Sequence, residues 1–173
     1  LKKHLQLRVL EEEDLPFIHK LANDPKIMSY WFEEPYYSFA RLKEMYEKQA
    51  QDHHIRRFIV EGKGKEKIGL VDIAYIDYHV HRNAEFEIII SPDHQGKGYA
   101  IHAAKLAMNY AFATLNLHKL YLIVDKQNEK AIHIYKKLGF AVEAELKEEF
   151  FVNGSYHDVL RMCIFQREYL NKA

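Results

Sequence analysis

The chain has 173 residues, the size of one folding domain and enough to bury a core. Lys plus Arg and Asp plus Glu number 25 each, so the zero formal charge argues against a general nucleic-acid binder, and no apolar run approaches the roughly 20 residues that span a bilayer. The first ten residues, LKKHLQLRVL, lack the apolar stretch and cleavage site of a signal peptide, and the single cysteine, Cys163, permits no intrachain disulfide, so a reducing, cytoplasmic setting is expected.

In chain order, Leu5–Leu10 alternates like an opening strand, and Glu12, Glu13 and Asp14 suit the positive N-terminus of a helix through about Asn23, ended by Asp24–Pro25. Ser38 caps a second helix to about Gln51, with Phe39, Leu42, Met45 and Tyr46 on one face. Arg57–Glu61 and Lys67–Asp77 read as a hairpin around Gly62–Lys65, and Asn83–Ile90 as the next strand. A long amphipathic segment to about Thr114 follows the glycine-bearing turn after Ile90. Leu120–Val124 is an apolar run typical of a buried strand, and Asn128 caps a helix with Ala131, Ile132, Tyr135 and Leu138 at helical spacing. Gly139 supplies its left-handed stop. Ala141–Phe151 and Ser155–Arg167 form a final hairpin around Asn153–Gly154. The reading is α/β, an α+β mixed sheet in the order β-α-α-β-β-β-α-β-α-β-β, with no repeat or linker dividing residues 1–173.

The chemistry concentrates in IIISPDHQGKGYA (88–100). A β-branched strand runs into a turn where Gly96 and Gly98 let amide N–H groups converge at a helix N-terminus, a place that favours anions, and Lys97 adds positive charge. The spacing excludes a P-loop, because no Ser or Thr follows Lys97, and a dinucleotide fingerprint, because Ile101 stands at its third glycine. What fits is Q-x-x-G-x-A: Gln95, Gly98, Ala100. The alternative is a plain strand-to-helix turn with solvated glycines.

A second block, LYLIVDKQNEKAIHIYKKLGF (120–140), carries Val124, Asn128, Tyr135, Gly139 and Phe140 in the order V-x-x-x-N, Y-x-x-x-G-F. Together the two blocks resemble the GCN5-related N-acetyltransferases, and the element order matches their fold. Longer matches, IMSYWFEEP (27–35), HRNAEFEIII (81–90), residues 115–140 and EEFFVNG (148–154), resemble the bacterial spermidine/spermine N-acetyltransferases. The resemblance implies acetyl-CoA as cosubstrate, held by Ile88, Ile89, Ile90, Gln95, Gly96, Lys97, Gly98, Tyr99, Ala100, Asn128, Lys130, Ala131 and Tyr135. It implies a polyamine acceptor, with Met28, Trp31, Glu33, Glu34, Asp52 and Glu85 at substrate or allosteric polyamine positions, and a homododecamer.

Residue chemistry agrees with a cationic acceptor. Glu33 and Glu34 lie beside Tyr30, Trp31, Phe32 and Tyr36; carboxylates pair with ammonium groups and aromatic faces attract them. An ordinary loop packing aromatics on the core is the competing reading. Glu85 and Glu87 share one strand face by period-two alternation and, with Glu33, are candidates to take the amine's proton. Tyr135 is the candidate acid for the departing thiolate. Within the resemblance, acidic residues are usual where this chain has Tyr37, Arg41, Ile55 and Tyr75, and histidine where it has Gln49, so weak, absent or rearranged allosteric activation is expected. Cys163, in a strand-like run, reads as buried, and the pairs His53–His54 and His79/His81 complete no zinc pattern, so no metal is required. Two rivals remain: a ribosomal-protein N-terminal acetyltransferase of the same fold, and a non-catalytic CoA-binding regulatory protein.

Overall fold

A computed structural model describes residues 4–171; residues 1–3 and 172–173 of the expected 1–173 unit lie outside them, including the first three of LKKHLQLRVL. Seven strands form one sheet: β1 (Gln6–Val9), β2 (Arg56–Glu61), β3 (Lys67–Ala74), β4 (Asn83–Ile90), β5 (Lys119–Asp125), β6 (Ala141–Val152) and β7 (Ser155–Phe165), in spatial order β1-β2-β3-β4-β5-β7-β6. All neighbours are antiparallel except β4 and β5, which run parallel. The helices are α1 (Leu15–Ala22), α2 (Pro25–Tyr30), α3 (Phe39–Gln49), α4 (Tyr99–Asn109, continued by a π-helical turn over Tyr110–Thr114), α5 (Glu129–Leu138) and α6 (Gln166–Leu170). The mixed sheet and its strand–helix order are those read from the sequence, with two short helices, α2 and α6, added.

Local chemistry explains where these elements start and stop. The Asp24 carboxylate accepts from the amides of Lys26 (2.9 Å) and Ile27 (3.3 Å), and Pro25 at the first helical position needs no donor, so the dipeptide that ends α1 also starts α2. The Ser38 hydroxyl accepts from the Arg41 amide at 3.1 Å to start α3. Asn153 and Gly154, at φ 49° and 85°, make the tight turn between β6 and β7, which twists with the strands it joins. β3 stops three residues earlier than expected because Tyr75 turns to φ 51°.

Each sheet face has its own apolar core. Phe58, Val71, Ile73, Phe86, Leu120, Leu122 and Met162 pack under α4, whose Ala103, Ala104, Ala107 and Ala111 let the helix lie close to the sheet. On the other face Ile59, Leu70 and Ile89, in register across β2, β3 and β4, pack under α1, α2 and α3. The next step along that register places Arg57, Asp72 and Glu87 side by side on the same face. Among the described residues no helix is long and apolar enough to cross a membrane.

Candidate active site

The β4–β5 pairing is the feature that makes a site. It covers only Asn83↔Lys119, Ala84↔Leu120 and Glu85↔Tyr121. Beyond Glu85 the strands part, while the other edge of β4 stays paired with β3 as far as Gly69↔Ile90. Alternate backbone groups of β4 between Phe86 and Ile90 therefore face a gap instead of a neighbour. A cavity of about 670 Å³ fills that gap, lined by Glu85–Ile90, by Ile123 and Val124 of β5, by the turn into α4, and by Asn128, Lys130, Ala131, Ile134 and Tyr135.

At one end of the cavity lies the glycine turn. Gly96 and Gly98 adopt φ 73° and 78°, and Gly98 caps α4 with no side chain closing the helix end. A Cβ at either glycine would meet nothing within 4 Å, so the backbone angle, not crowding, demands glycine there. The N-cap of the 11-residue α4 thus offers its first-turn amides no capping side chain, and those amides carry the positive end of the helix dipole. The neighbouring side chains brace the turn. Gln95 donates to the Ile90 carbonyl (3.0 Å), and Lys97 Nζ donates to the Asp93 carbonyl (2.7 Å). His94 bridges Ser91 (2.6 Å) and Glu66 (2.9 Å) and stands edge-on to Tyr99. Asn128 accepts from the Ala131 amide at 3.2 Å, so its carboxamide closes the start of α5.

The other end is acidic and aromatic. Tyr30, Trp31, Phe32 and Glu33 come from the end of α2, Tyr75 from the end of β3, Glu85 and Glu87 from β4, and Phe150 from β6. Phe32, at φ 58°, stacks on Phe150 with ring centroids 4.3 Å apart, fastening the segment after α2 to the last hairpin. Tyr37 donates to Glu33 at 2.7 Å, and the Arg41 guanidinium lies 4.6 Å above the Tyr37 ring. Between the ends, Tyr135 packs edge-on against Phe140, and burial pushes its phenol up to about 12, with the Glu87 charge adding to the effect. Burial also raises the carboxyl of Glu85. Glu87 rises to about 8, first through burial and then through the charges of Asp72 and Glu85.

The cavity brings together nearly all the expected positions: Glu33, Glu85 and Tyr135, Trp31, Ile88–Ile90, Gln95, Gly96, Gly98, Tyr99, Ala100, Asn128, Lys130 and Ala131. Lys97 lies outside its wall and Glu34 outside both principal cavities, while Met28 and Asp52 line a second cavity of about 320 Å³. That cavity adjoins the first through Trp31, Glu33, Tyr75, Glu87 and Ile89, and contains Tyr37, Gln49 and Ile55. Sequence reasoning missed the wall positions of His94 and Phe150; no periodicity marks either, and only the Phe32 stack shows why Phe150 reaches the site. Cys163 is a buried free thiol on β7 whose pKa burial raises, and no group of three or more His, Cys, Asp or Glu among the described residues is arranged to hold a metal ion.

Residues 4–141 match the model of the acetyltransferase (GNAT) domain. The chain belongs to the GNAT acetyltransferase family. Within that family it is 61% identical over 166 residues to the spermidine N(1)-acetyltransferase of Escherichia coli K12, covering 96% of this chain and 88% of the relative. The crystal structure of spermidine N-acetyltransferase from Vibrio cholerae in complex with CoA and spermine superposes with a TM-score of 0.95 at 55% identity, over 96% of this chain and 98% of that one. A dodecameric structure of the Vibrio cholerae enzyme in an intermediate state gives 0.88 at 54% identity over 98% of each chain.

Proposed function

We propose that this chain, read as one acetyltransferase domain over residues 1–173, transfers the acetyl group of acetyl-CoA to a primary amine of spermidine or spermine. The observation that carries the reading is one cavity joining an open helix N-terminus, at the splayed end of β4, to an acidic, aromatic pocket across the Tyr135 ring. The first end suits a diphosphate and the second a chain of ammonium groups. The relatives described above act on spermidine, and one was crystallised with CoA and spermine. By the same likeness the chain works as a homododecamer, and a cytoplasmic setting fits its freedom from disulfides.

The mechanism is direct attack within a ternary complex. An amine of pKa about 10.4 is neutral in roughly one molecule in 10³ at pH 7, so a carboxylate must collect its proton. Glu85 and Glu33 are the candidates for that role. Glu33 is tethered by Tyr37, whereas Glu85 takes no side-chain hydrogen bond from the described residues. The amides of Ile88 and Ile90, which strand alternation turns toward the gap, polarise the thioester carbonyl as it becomes an oxyanion. Tyr135 gives its proton to the departing thiolate. Its burial keeps the phenol protonated at every physiological pH, the form an acid must start from.

The region where the resemblance implies allosteric acids is rebuilt. Tyr37 occupies Glu33, Arg41 caps Tyr37, and Gln49 accepts from Arg57 at 2.7 Å. These contacts support velocity that rises hyperbolically with spermine; a strongly sigmoidal curve would contradict that.

Acetyl-CoA-dependent thiol release with spermidine, spermine, a ribosomal-type peptide and no acceptor tests the assignment. Release with the polyamines is expected. Release with the peptide alone would favour an N-terminal acetyltransferase, and acetyl-CoA binding without release would favour a regulatory protein.

A further inference from the structure

Glu87 stands in the wall shared by the two cavities, on the β4 face that also carries Glu85 and Ile89. The register sets it opposite Asp72 on β3, and Asp72 is already taken by Arg57 of β2, through Nε at 2.9 Å and Nη2 at 3.0 Å. The third contact of that guanidinium, through Nη1, goes to Gln49. No described residue gives Glu87 a hydrogen bond or an ion pair. The charged and titratable groups around it are Glu85 on its own strand, Asp72 and Arg57 across the sheet, Glu33 from the segment after α2, Tyr121 of β5 and Tyr135 of α5. Three other carboxylates thus surround Glu87, and the guanidinium whose charge reaches it, Arg57, is already engaged, while Arg161 acts on Glu85. Trp31 and Tyr75 complete the shared wall, and their ring faces suit an ammonium group and offer a metal ion no ligand.

We propose that Glu87 is the specificity-determining group of the acceptor cavity, holding a proton while the cavity is empty and exchanging it for an ammonium of the polyamine. No covalent bond between heavy atoms changes: the carboxyl O–H breaks, its proton leaves to solvent, and the carboxylate left behind pairs with an ammonium that keeps its own protons. Burial and the neighbouring acids support the resting state, since a carboxyl pushed up to about 8 is about nine-tenths protonated at pH 7. The arriving cation reverses the balance of charge that held the proton. The inference rests on the polyamine reading and names the group that recognises the cation.

The test is calorimetric titration of the CoA-loaded protein with spermine at pH 7, in buffers of different ionisation enthalpy, which counts protons released per polyamine bound. The wild type is expected to release a large fraction of one proton at pH 7 and almost none near pH 9.5. Glu87→Gln should abolish the release and raise the spermine KM about 10- to 100-fold, the worth of a charged hydrogen bond, with a much smaller change in kcat and an unchanged acetyl-CoA KM. Should the variant fail to fold, the proton count of the wild type and its pH profile decide the matter alone. Undiminished release by the variant, an unaltered spermine KM, or a wild type that releases no proton while acetylating spermine overturns this inference and leaves the polyamine reading standing. A wild type that neither binds nor acetylates polyamines overturns both.

Discussion

Asp14, in the turn that leads into α1, and Glu87, on β4, are acids with opposite surroundings. The Asp14 side chain is fully buried, and every contact there favours its charge: Arg8 at 2.9 and 3.0 Å, Lys67 at 2.9 Å and the Glu11 amide at 2.8 Å. These partners outweigh burial and hold the carboxyl well below the usual aspartate range. Glu87 is half-buried, receives no such partner, and is pushed up to about 8. The first ties β1 and β3 to the start of α1 and is complete as it stands. The second borders a cavity and has no hydrogen-bond or ion-pair partner among the described residues. A carboxylate that the fold satisfies belongs to the fold, and one left wanting beside a cavity marks where a ligand goes.

The largest effect is expected in the cavity beside Glu87. Tyr135→Phe keeps the ring and loses the proton, so turnover should fall about 10²- to 10⁴-fold with acetyl-CoA affinity nearly unchanged, as steady-state kinetics and calorimetry would show. Normal turnover would remove Tyr135 from the mechanism. Asp14→Ala should act on the fold instead. Breaking a buried ion pair costs about 3 kcal/mol here, the lower end of the usual range because Arg8 and Lys67 reach solvent, and lowers Tm by about 10 °C, while spermine KM stays put. A variant of wild-type stability would show that the pair is not structural.

The two acids also give stability opposite slopes with pH. The folded pKa of Asp14 is depressed, so its contribution is present above the ordinary aspartate range and lost as pH falls through and below it. The folded pKa of Glu87 is raised from 4.5 to about 8, so its contribution is full below pH 4.5 and lost as pH rises through that window. Glu87→Gln, permanently neutral, should therefore melt about 5 °C above the wild type at pH 9 and close to it at pH 4.5, while Asp14→Ala should melt below the wild type at both and approach it only in strong acid. Parallel melting curves at all pH values would contradict the contrast. The smallest effect is kinetic: Tyr37→Phe frees Glu33 from its hydrogen bond and should change the spermine KM by about two- to fivefold, the worth of one exposed hydrogen bond. No change at all would mean that Tyr37 does not restrain Glu33.

Much of this was legible in the sequence, because its signals are local. Strand alternation, the Ser38 and Asn128 caps, the glycines of the turn and the spacing from Asn128 to Tyr135 each report on a few consecutive residues. α2 escaped because Asp24–Pro25 reads as a stop until the same aspartate is seen capping forward. Other features depended on contacts between distant residues. The parting of β4 from β5 after Glu85, the Tyr37–Glu33 bond and the Phe32–Phe150 stack are set by register and by long-range packing. Glu87 shows the limit best. Alternation placed it beside Glu85, but only the register that faces it with Asp72, and the commitment of Arg57 to that aspartate, distinguishes the two glutamates.

The central claim is that the gap between β4 and β5 seats the cosubstrate with its thioester against Tyr135. A crystal structure of the chain soaked with CoA tests it most directly. The account predicts the diphosphate on the amides at the start of α4, the pantetheine arm in the gap, and the sulfur about 3–3.5 Å from the Tyr135 hydroxyl. CoA bound with its diphosphate elsewhere, or with its sulfur beyond reach of that hydroxyl, would contradict it.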